Sequence, residues 1–370
     1  MSQADNRTAP AAKERGGFLS RLFGRGAAHE RADAKAILDL ADIQGFILRG
    51  YRMPMVRHFL LMVDSPAEAR KLLGRFVSGI EADAPQITTA EDWHVGFEPG
   101  PRDNPADVPR RKPDYCLNAG ITWPGLVALE IRDRVPALSF KSFGAFVAGA
   151  AERAKLVGDT GESDPQHWIG GFGAGSDHVL ITLHAISPEA MTIYSARLSA
   201  LFAERGAFRE IWRADGMALM EMKDGEPVPT FKVHFGYTDG ISMTTIRGGP
   251  ERYPQDHQQP CEPWLFVLRD DAENYLVPEP RELGLNGSFA VFKMIRTDVV
   301  GFENFLQSLV PPQSRPQPCQ IQNALWLAAS RSEAKPRCRF CPRSLVRLLE
   351  LYLFARCVVR GTAASRPLLG

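Results

Sequence analysis

The chain of 370 residues lacks an excess of charge, a long apolar run and a framework of cysteines. Its 44 Lys+Arg oppose 43 Asp+Glu, which gives no electrostatic case for binding nucleic acid or an anionic membrane. No run of about 18 apolar residues occurs, and no secretory apolar core precedes residue 40. The six cysteines are too few for a disulfide framework. These absences predict a soluble, cytoplasmic protein with reduced thiols.

Histidine is missing from the end of the chain, since none of the eight follows His257. Residues 311–370 hold ten Lys+Arg and two Asp+Glu, a net charge of +8. The remaining 34 basic and 41 acidic residues give residues 1–310 a net charge of −7. Four of the six cysteines also lie beyond residue 310. The tail therefore differs in composition from the body, which indicates a boundary near residue 310.

Strand-and-helix units recur along the body of the chain. Residues 58–64 are strand-like, and Ser65-Pro66-Ala67-Glu68 is a capping box that precedes apolar residues at helical spacing. Residues 178–184, followed by Ser187-Pro188-Glu189, repeat this pattern. Further predicted elements are strands at residues 42–51, 117–122 and 288–295, a short helix at 123–131 and a helix from about residue 297.

Strand pairs joined by short connections favour an α+β fold over a doubly wound sheet. We predict a disordered N-terminal arm at residues 1–33 and a first domain of split βαβ type at residues 40–245. A second, similar domain begins at residues 262–310. Residues 311–370 form an atypical tail in which we predict no strand. The second domain is therefore expected to be incomplete.

Three local signals have a structural interpretation that we prefer. The glycine-rich residues 170–175 precede a strand, so no helix dipole supports a phosphate cradle and a flexible loop is favoured. His178 and His184 share a strand face, but no third metal ligand is near, which favours satisfied histidines. Cys338 and Cys341 are spaced 19 and 16 residues from the outer tail cysteines, which is not the spacing of a zinc knuckle pair.

One segment stands out once its context is considered. Asp239-Gly240 alone would be a turn dipeptide, but residues 235–242 (FGYTDGIS) closely resemble the GxxDG motif of the dye-decolorising peroxidases, a haem family. Four other stretches resemble the same family in the expected order. They are residues 42–48 (DIQGFIL), 117–126 (LNAGITWPGL), 153–168 (with RA, LVGD, P and W) and 286–292 (NGSFAVF). The resemblance covers about residues 40–310.

The resemblance implies tandem ferredoxin-like domains of the dimeric α+β barrel type, with heme b held between the sheets. It implies that Asp239 takes a proton from bound hydrogen peroxide and passes it to the leaving oxygen, which suits a partly desolvated carboxylate. Gly236 and Gly240 would let the backbone approach the cofactor, together with Ile241 and Ser242. The implied partners are hydrogen peroxide and a bulky aromatic or phenolic reductant, and a homo-oligomer stays open.

The tail departs from the family. The family's proximal histidine and distal arginine come several tens of residues after the stretch at 286–292, where this chain has no histidine, so the iron ligand is unassigned. The tail arginines lie in no matching motif, and residues 262–266 (EPWLF) replace a Gly-Glu-Phe segment. We infer a frameshift or truncation after residue 310. The alternative function is accordingly a non-catalytic member of the same fold.

Overall fold

The computed structural model describes residues 38–51, 53–78, 84–95, 113–134, 140, 143–230, 232, 246–249, 260–268, 284–295, 298–308 and 348–355. The predicted arm at residues 1–33 lies outside these ranges. The strands are β1 (Met55–Val63), β2 (Tyr115–Ile121), β3 (Val179–Ala185), β4 (Phe208–Met217), β5 (Met220–Lys223), β6 (Glu226–Pro229), β7 (Ser288–Ile295) and β8 (Leu348–Ala355). The helices are α1 (Gly45–Leu48), α2 (Pro66–Ser78), α3 (Ala90–Val95), α4 (Trp123–Ala128), α5 (Ile131–Arg134), α6 (Gly144–Val157), α7 (Pro188–Ala203) and α8 (Val299–Ser308).

Six of the strands form one sheet in the order β4-β1-β3-β2-β8-β7, and every neighbouring pair in it is antiparallel. The four strands β4-β1-β3-β2, with α2 after β1 and α7 after β3, have the order of a ferredoxin-like unit. Strands β5 and β6 form a separate hairpin. The predicted α+β, ferredoxin-like fold is confirmed.

The two long helices begin where the sequence places their caps. The Ser187 Oγ accepts a hydrogen bond from the Ala190 N–H at 3.2 Å, with proline at the first position of α7. Phe76 of α2 and Phe202 of α7 are buried on one face of the sheet, where the Phe202 ring lies 5.4 Å from that of Phe59 in β1. This face carries the main hydrophobic core.

The other face of the sheet carries a second, smaller apolar cluster. Because side chains alternate along a strand, Leu60 points away from Phe59 and packs with Leu180 and Phe172. The sheet curls, so that its edge strand β7 covers this cluster: the Phe292 ring stacks 5.7 Å from that of Phe172 and lies 6.4 Å from that of Trp212 in β4, at the opposite edge. The space between β7 and this face contains the cavity described below.

The strand predicted at residues 42–51 is wrong, because the chain there forms a bridge and the short helix α1. The Gly45 N–H donates to the Thr88 carbonyl at 2.9 Å, and the Ala90 N–H donates to the Ile43 carbonyl at 2.7 Å. A Cβ on Gly45 would lie 2.7 Å from the Tyr51 hydroxyl. These contacts join residues that are 43 and 47 positions apart, and apolar alternation alone does not reveal them.

The prediction of no strand beyond residue 310 is also wrong. Strand β8 pairs with β7 from Ser288↔Ala355 to Ile295↔Leu348, and it meets β2 at Ile121↔Phe354. Its sequence, LLELYLFA, includes two aromatic residues that suit a strand, Tyr352 and Phe354. Strand β4 was absent from the predicted elements as well. The boundaries proposed for a second domain stay a prediction.

Candidate functional site

The residues predicted to carry the chemistry lie outside the described part of the chain. Asp239, Gly236, Gly240, Ile241 and Ser242 all fall within residues 233–245, which the structure does not describe. The four tail cysteines of the zinc alternative also fall outside the described ranges. Among the described residues, no group of three or more His, Cys, Asp or Glu is placed to hold a metal ion. The site must therefore be built from other residues.

Two of the family-like stretches meet through Gln44 and strand β2. The Gln44 Nε2 donates to the Ala119 carbonyl at 2.8 Å, and its Oε1 accepts from the Ala119 N–H at 3.0 Å. The Asn118 Nδ2 donates to the same Oε1 at 3.3 Å and to the Tyr51 hydroxyl at 3.1 Å. Gln44 is fully buried. A buried amide that is so well matched holds α1 against the sheet.

The first and last family-like stretches also touch. Asn286, which has a left-handed backbone with φ of 59°, donates from Nδ2 to the Asp42 Oδ2 at 2.9 Å. The buried Asp159 lies 3.6 Å from the Lys293 Nζ in β7. Residues that are far apart in sequence are thus joined by polar contacts. The family-like residues in these stretches therefore make contacts that hold the fold together.

The glycine-rich loop and His178 have structural roles. Asp177 accepts hydrogen bonds from the Gly173 and Gly175 N–H groups at 3.0 and 3.1 Å, and burial raises the pKa of its carboxyl. The His178 Nδ1 accepts from the Val63 N–H at 3.0 Å, which leaves its Nε2–H facing the Gly175 carbonyl at 3.1 Å. His178 is therefore a satisfied histidine, as preferred from the sequence.

A cavity of about 220 Å³ lies between the second face of the sheet and β7. Its polar lining comes from neighbouring strands of the sheet: His58 of β1, Asn118 of β2, and Thr182 and His184 of β3. Apolar walls are supplied by Phe46, Leu180, Ala290 and Phe292. The strand register explains the grouping, because Thr182 is opposite both His58 and Asn118, and His184 lies two residues further along β3 on the same face.

His58 is uncharged at neutral pH. Its Nδ1 lies 3.0 Å from the Thr182 Oγ1, and its ring meets the Phe292 ring edge-on at 4.8 Å. Burial lowers its pKa to about 4, against the opposing charge of Asp215. The histidine thus contributes a neutral imidazole to the cavity.

His184 is the second neutral imidazole of the cavity. Burial, and to a smaller extent the nearby His58, lower its pKa to about 4. Its ring makes an edge contact with the Tyr51 ring at 5.1 Å. The sequence does not predict that His58 and His184 line the same cavity, since this depends on the register of β1 and β3.

We expect these two histidines to lower the free energy of unfolding as the pH falls from 6.5 to about 4. The unfolded chain binds protons near pH 6.5, but the folded chain binds them only near pH 4, so stability falls as pH drops through this window. The loss is about 2 kcal/mol for each histidine at pH 5. Urea unfolding at pH 7.5 and pH 5 measures it. His184→Phe should reduce the loss by about 2 kcal/mol, whereas the exposed control His167→Gln should not; an unchanged pH dependence in His184→Phe contradicts the assignment.

The cavity does not fit a haem. At about 220 Å³ it is below the range of roughly 300–1,000 Å³ in which drug-sized ligands bind, and a porphyrin needs more space than most of these. This cavity alone is therefore too small for a porphyrin, and the residues predicted to line the haem lie outside the described ranges.

Comparison with known proteins places the fold. No protein-family model matches the chain. The dye-decolorizing peroxidase msp1 of Mycetinis scorodonius is 24 % identical over 277 residues, which are 75 % of this chain and 47 % of that protein. An ancestral D-type dye-decolorizing peroxidase is 25 % identical with a TM-score of 0.58, covering 76 % of this chain and 55 % of that one. The peroxidase of Auricularia auricula-judae is 18 % identical with a TM-score of 0.59, covering 79 % and 56 %.

The resemblance to dye-decolorising peroxidases is confirmed over part of the chain. The chain spans about half the length of the relatives that it matches. In the described part of the chain, no helix has both the length and the apolar character needed to cross a membrane.

Proposed function

We propose that this chain is a haem-dependent peroxidase of the dye-decolorising type, which reduces hydrogen peroxide and oxidises a bulky aromatic or phenolic compound. One observation supports the proposal above others: the family-like stretch at residues 42–48 makes hydrogen bonds to both of the other stretches, at residues 117–126 and 286–292, beside a ferredoxin-like sheet. The matched relatives are peroxidases. The proposal keeps heme b as cofactor, a first domain at residues 40–245, the start of a second at residues 262–310 and a cytoplasmic location, and it leaves a homo-oligomer open.

Asp239 is the proposed acid–base group. Its carboxylate would accept a proton from hydrogen peroxide and return it to the leaving oxygen, which lowers the barrier to O–O cleavage. Gly236 and Gly240 would leave room for the reactants beside the carboxylate, because neither carries a Cβ. Ile241 and Ser242 would complete the lining. Heme, when bound, would supply the redox chemistry, and the aromatic or phenolic reductant would be the source of the two electrons that reduce hydrogen peroxide.

A second candidate is a non-catalytic protein of the same fold. It is favoured by the absence of histidine after His257. A peroxidase of this type needs an axial ligand for the iron, and residues 311–370 offer no histidine for it. Such a chain would keep the sheet and its contacts without binding a macrocycle.

Titration of the purified full chain with haem separates the two candidates. A peroxidase should show a saturable Soret band at one haem per chain, and the band should shift when cyanide is added. The heat-unfolded chain is the matched control, because it has the same residues without the fold. A spectrum of free haem in both samples would overturn the peroxidase proposal.

The gene tests the frameshift hypothesis separately. Translation of the other two reading frames beyond codon 310 should reveal a histidine followed by family-like sequence. If neither frame contains one, the departure of residues 311–370 belongs to the protein itself.

A further inference from the structure

Three of the ten methionines of the chain lie together within six residues, where β4 ends and β5 begins. Met222 is 70 % exposed and Met217 is 66 % exposed, and Met220 is exposed as well. Every other methionine that the structure describes is buried or half-buried, and Met191 of α7 is only 5 % exposed. The accessible thioether groups of the described residues are therefore concentrated in this one segment.

The β5–β6 hairpin carries two of these methionines on an apolar face. Met220 is opposite Pro229 and Met222 is opposite Pro227, so all four side chains lie on the same side of the hairpin. The other side carries Glu221, Lys223, Glu226 and Val228. Because the hairpin forms a sheet of its own, neither Met220 nor Met222 belongs to the main core or to the smaller apolar cluster. These side chains are apolar without packing in the interior of the fold.

Exposure decides what oxidation of a methionine costs the fold. Oxidation adds a polar oxygen to the sulfur, and this oxygen must be hydrated or hydrogen-bonded. On Met222 or Met217 the added oxygen would stay in contact with water, since most of each side chain is exposed. On Met191 the same oxygen would be placed in the main hydrophobic core. The exposed methionines can therefore be oxidised at little cost in stability, whereas Met191 cannot.

We propose that Met217, Met220 and Met222 form a modification site at which hydrogen peroxide converts thioethers to sulfoxides without unfolding the chain. The sulfur lone pair attacks one peroxide oxygen, so that an S–O bond forms as the O–O bond breaks, and the second oxygen leaves as water. The sulfur is oxidised and the peroxide is reduced, with no further reactant. The product makes the apolar face of the hairpin polar, and methionine sulfoxide reductases can reverse it. The proposal goes beyond the peroxidase function, because it requires neither haem nor residues 233–245.

Peptide mass spectrometry measures oxidation at each methionine of the full chain, treated with hydrogen peroxide in the presence of a metal chelator and without haem. We expect Met222 and Met217 to gain oxygen first and Met220 next, in the order of their exposure. Met191 should react at least about tenfold more slowly, since peroxide reaches it only in the small fraction of chains that open locally. The urea-unfolded chain is the control, in which all four should react at similar rates. Equal rates for Met191 and Met222 in the folded chain overturn the proposal.

A variant with Met217→Leu, Met220→Leu and Met222→Leu is the matched comparison, because leucine keeps the side chains apolar and of similar volume but removes the sulfur. At the time when Met191 is still unmodified, the unmodified sequence should have taken up to three more oxygen atoms than the variant. Its urea midpoint should equal that of the untreated chain, and methionine sulfoxide reductases should remove the added oxygen. Equal oxygen uptake by the two chains, or a urea midpoint that falls once the three methionines are oxidised, overturns the proposal.

Discussion

Replacing Gly125 with alanine is expected to destabilise the fold by about 3 kcal/mol or more. Gly125 lies in α4, where an added Cβ would clash with the His178 carbonyl oxygen and lie 2.8 Å from its carbon. That carbonyl already accepts hydrogen bonds from the N–H and the hydroxyl of Thr122. Because the partner is backbone just before β3, it can move only if the helix leaves the sheet.

Urea unfolding monitored by circular dichroism measures this effect. Gly74→Ala is the matched control, since Gly74 lies inside α2 and a Cβ there meets no atom within 4 Å. In that helix interior alanine should stabilise the protein by about 0.5–1 kcal/mol. The two variants make the same chemical change with opposite expected signs. An equal loss of stability in both would contradict the packing of α4 against the His178 carbonyl.

Asp239→Asn is expected to lower the peroxidase turnover about 10²- to 10⁴-fold. Asparagine has the shape of aspartate but cannot accept the peroxide proton, so the loss should appear in the reaction with peroxide and not in the binding of cofactor. Stopped-flow mixing of the haem-loaded chain with hydrogen peroxide measures the rate. The Soret titration of the variant should match that of the unmodified chain.

Asp224→Asn is the control for this change, because Asp224-Gly225 is another Asp-Gly pair. It joins β5 to β6 in a two-residue turn, with φ of 54° and 88°, and the Asp224 side chain is exposed. Asparagine suits this turn as well as aspartate does. We expect unchanged turnover for this variant. A similar rate for Asp239→Asn and the unmodified chain would remove Asp239 from the mechanism and return its Asp-Gly pair to the role of a turn.

The sequence predicts much of the local structure because the signals for it are local. Ser65-Pro66 and Ser187-Pro188 mark the starts of α2 and α7, and apolar spacing identifies the faces that they bury. The strands near residues 58–64 and 178–184 follow from apolar runs between turn residues. These assignments are confirmed, and so is the family resemblance built on five short stretches.

Other features depend on partners far away in the chain. Residues 42–51 have a strand-like pattern, but contacts with Thr88 and Ala119 hold them in a bridge and a helical turn. Strand β8 is stabilised by pairing with β7, about 60 residues earlier, which no window of neighbouring residues contains. Propensity is a weak guide wherever such contacts compete with it.

The sequence by itself therefore determined the ferredoxin-like class, the capped helices and Asp239 as the candidate for catalysis. Only the tertiary structure brought His58, His184 and Asn118 to one cavity, since they lie on three strands whose register is set by pairing. The same burial lowers the pKa of both histidines to about 4. Such a site has no sequence motif, because its chemistry arises from burial and from cross-strand neighbours.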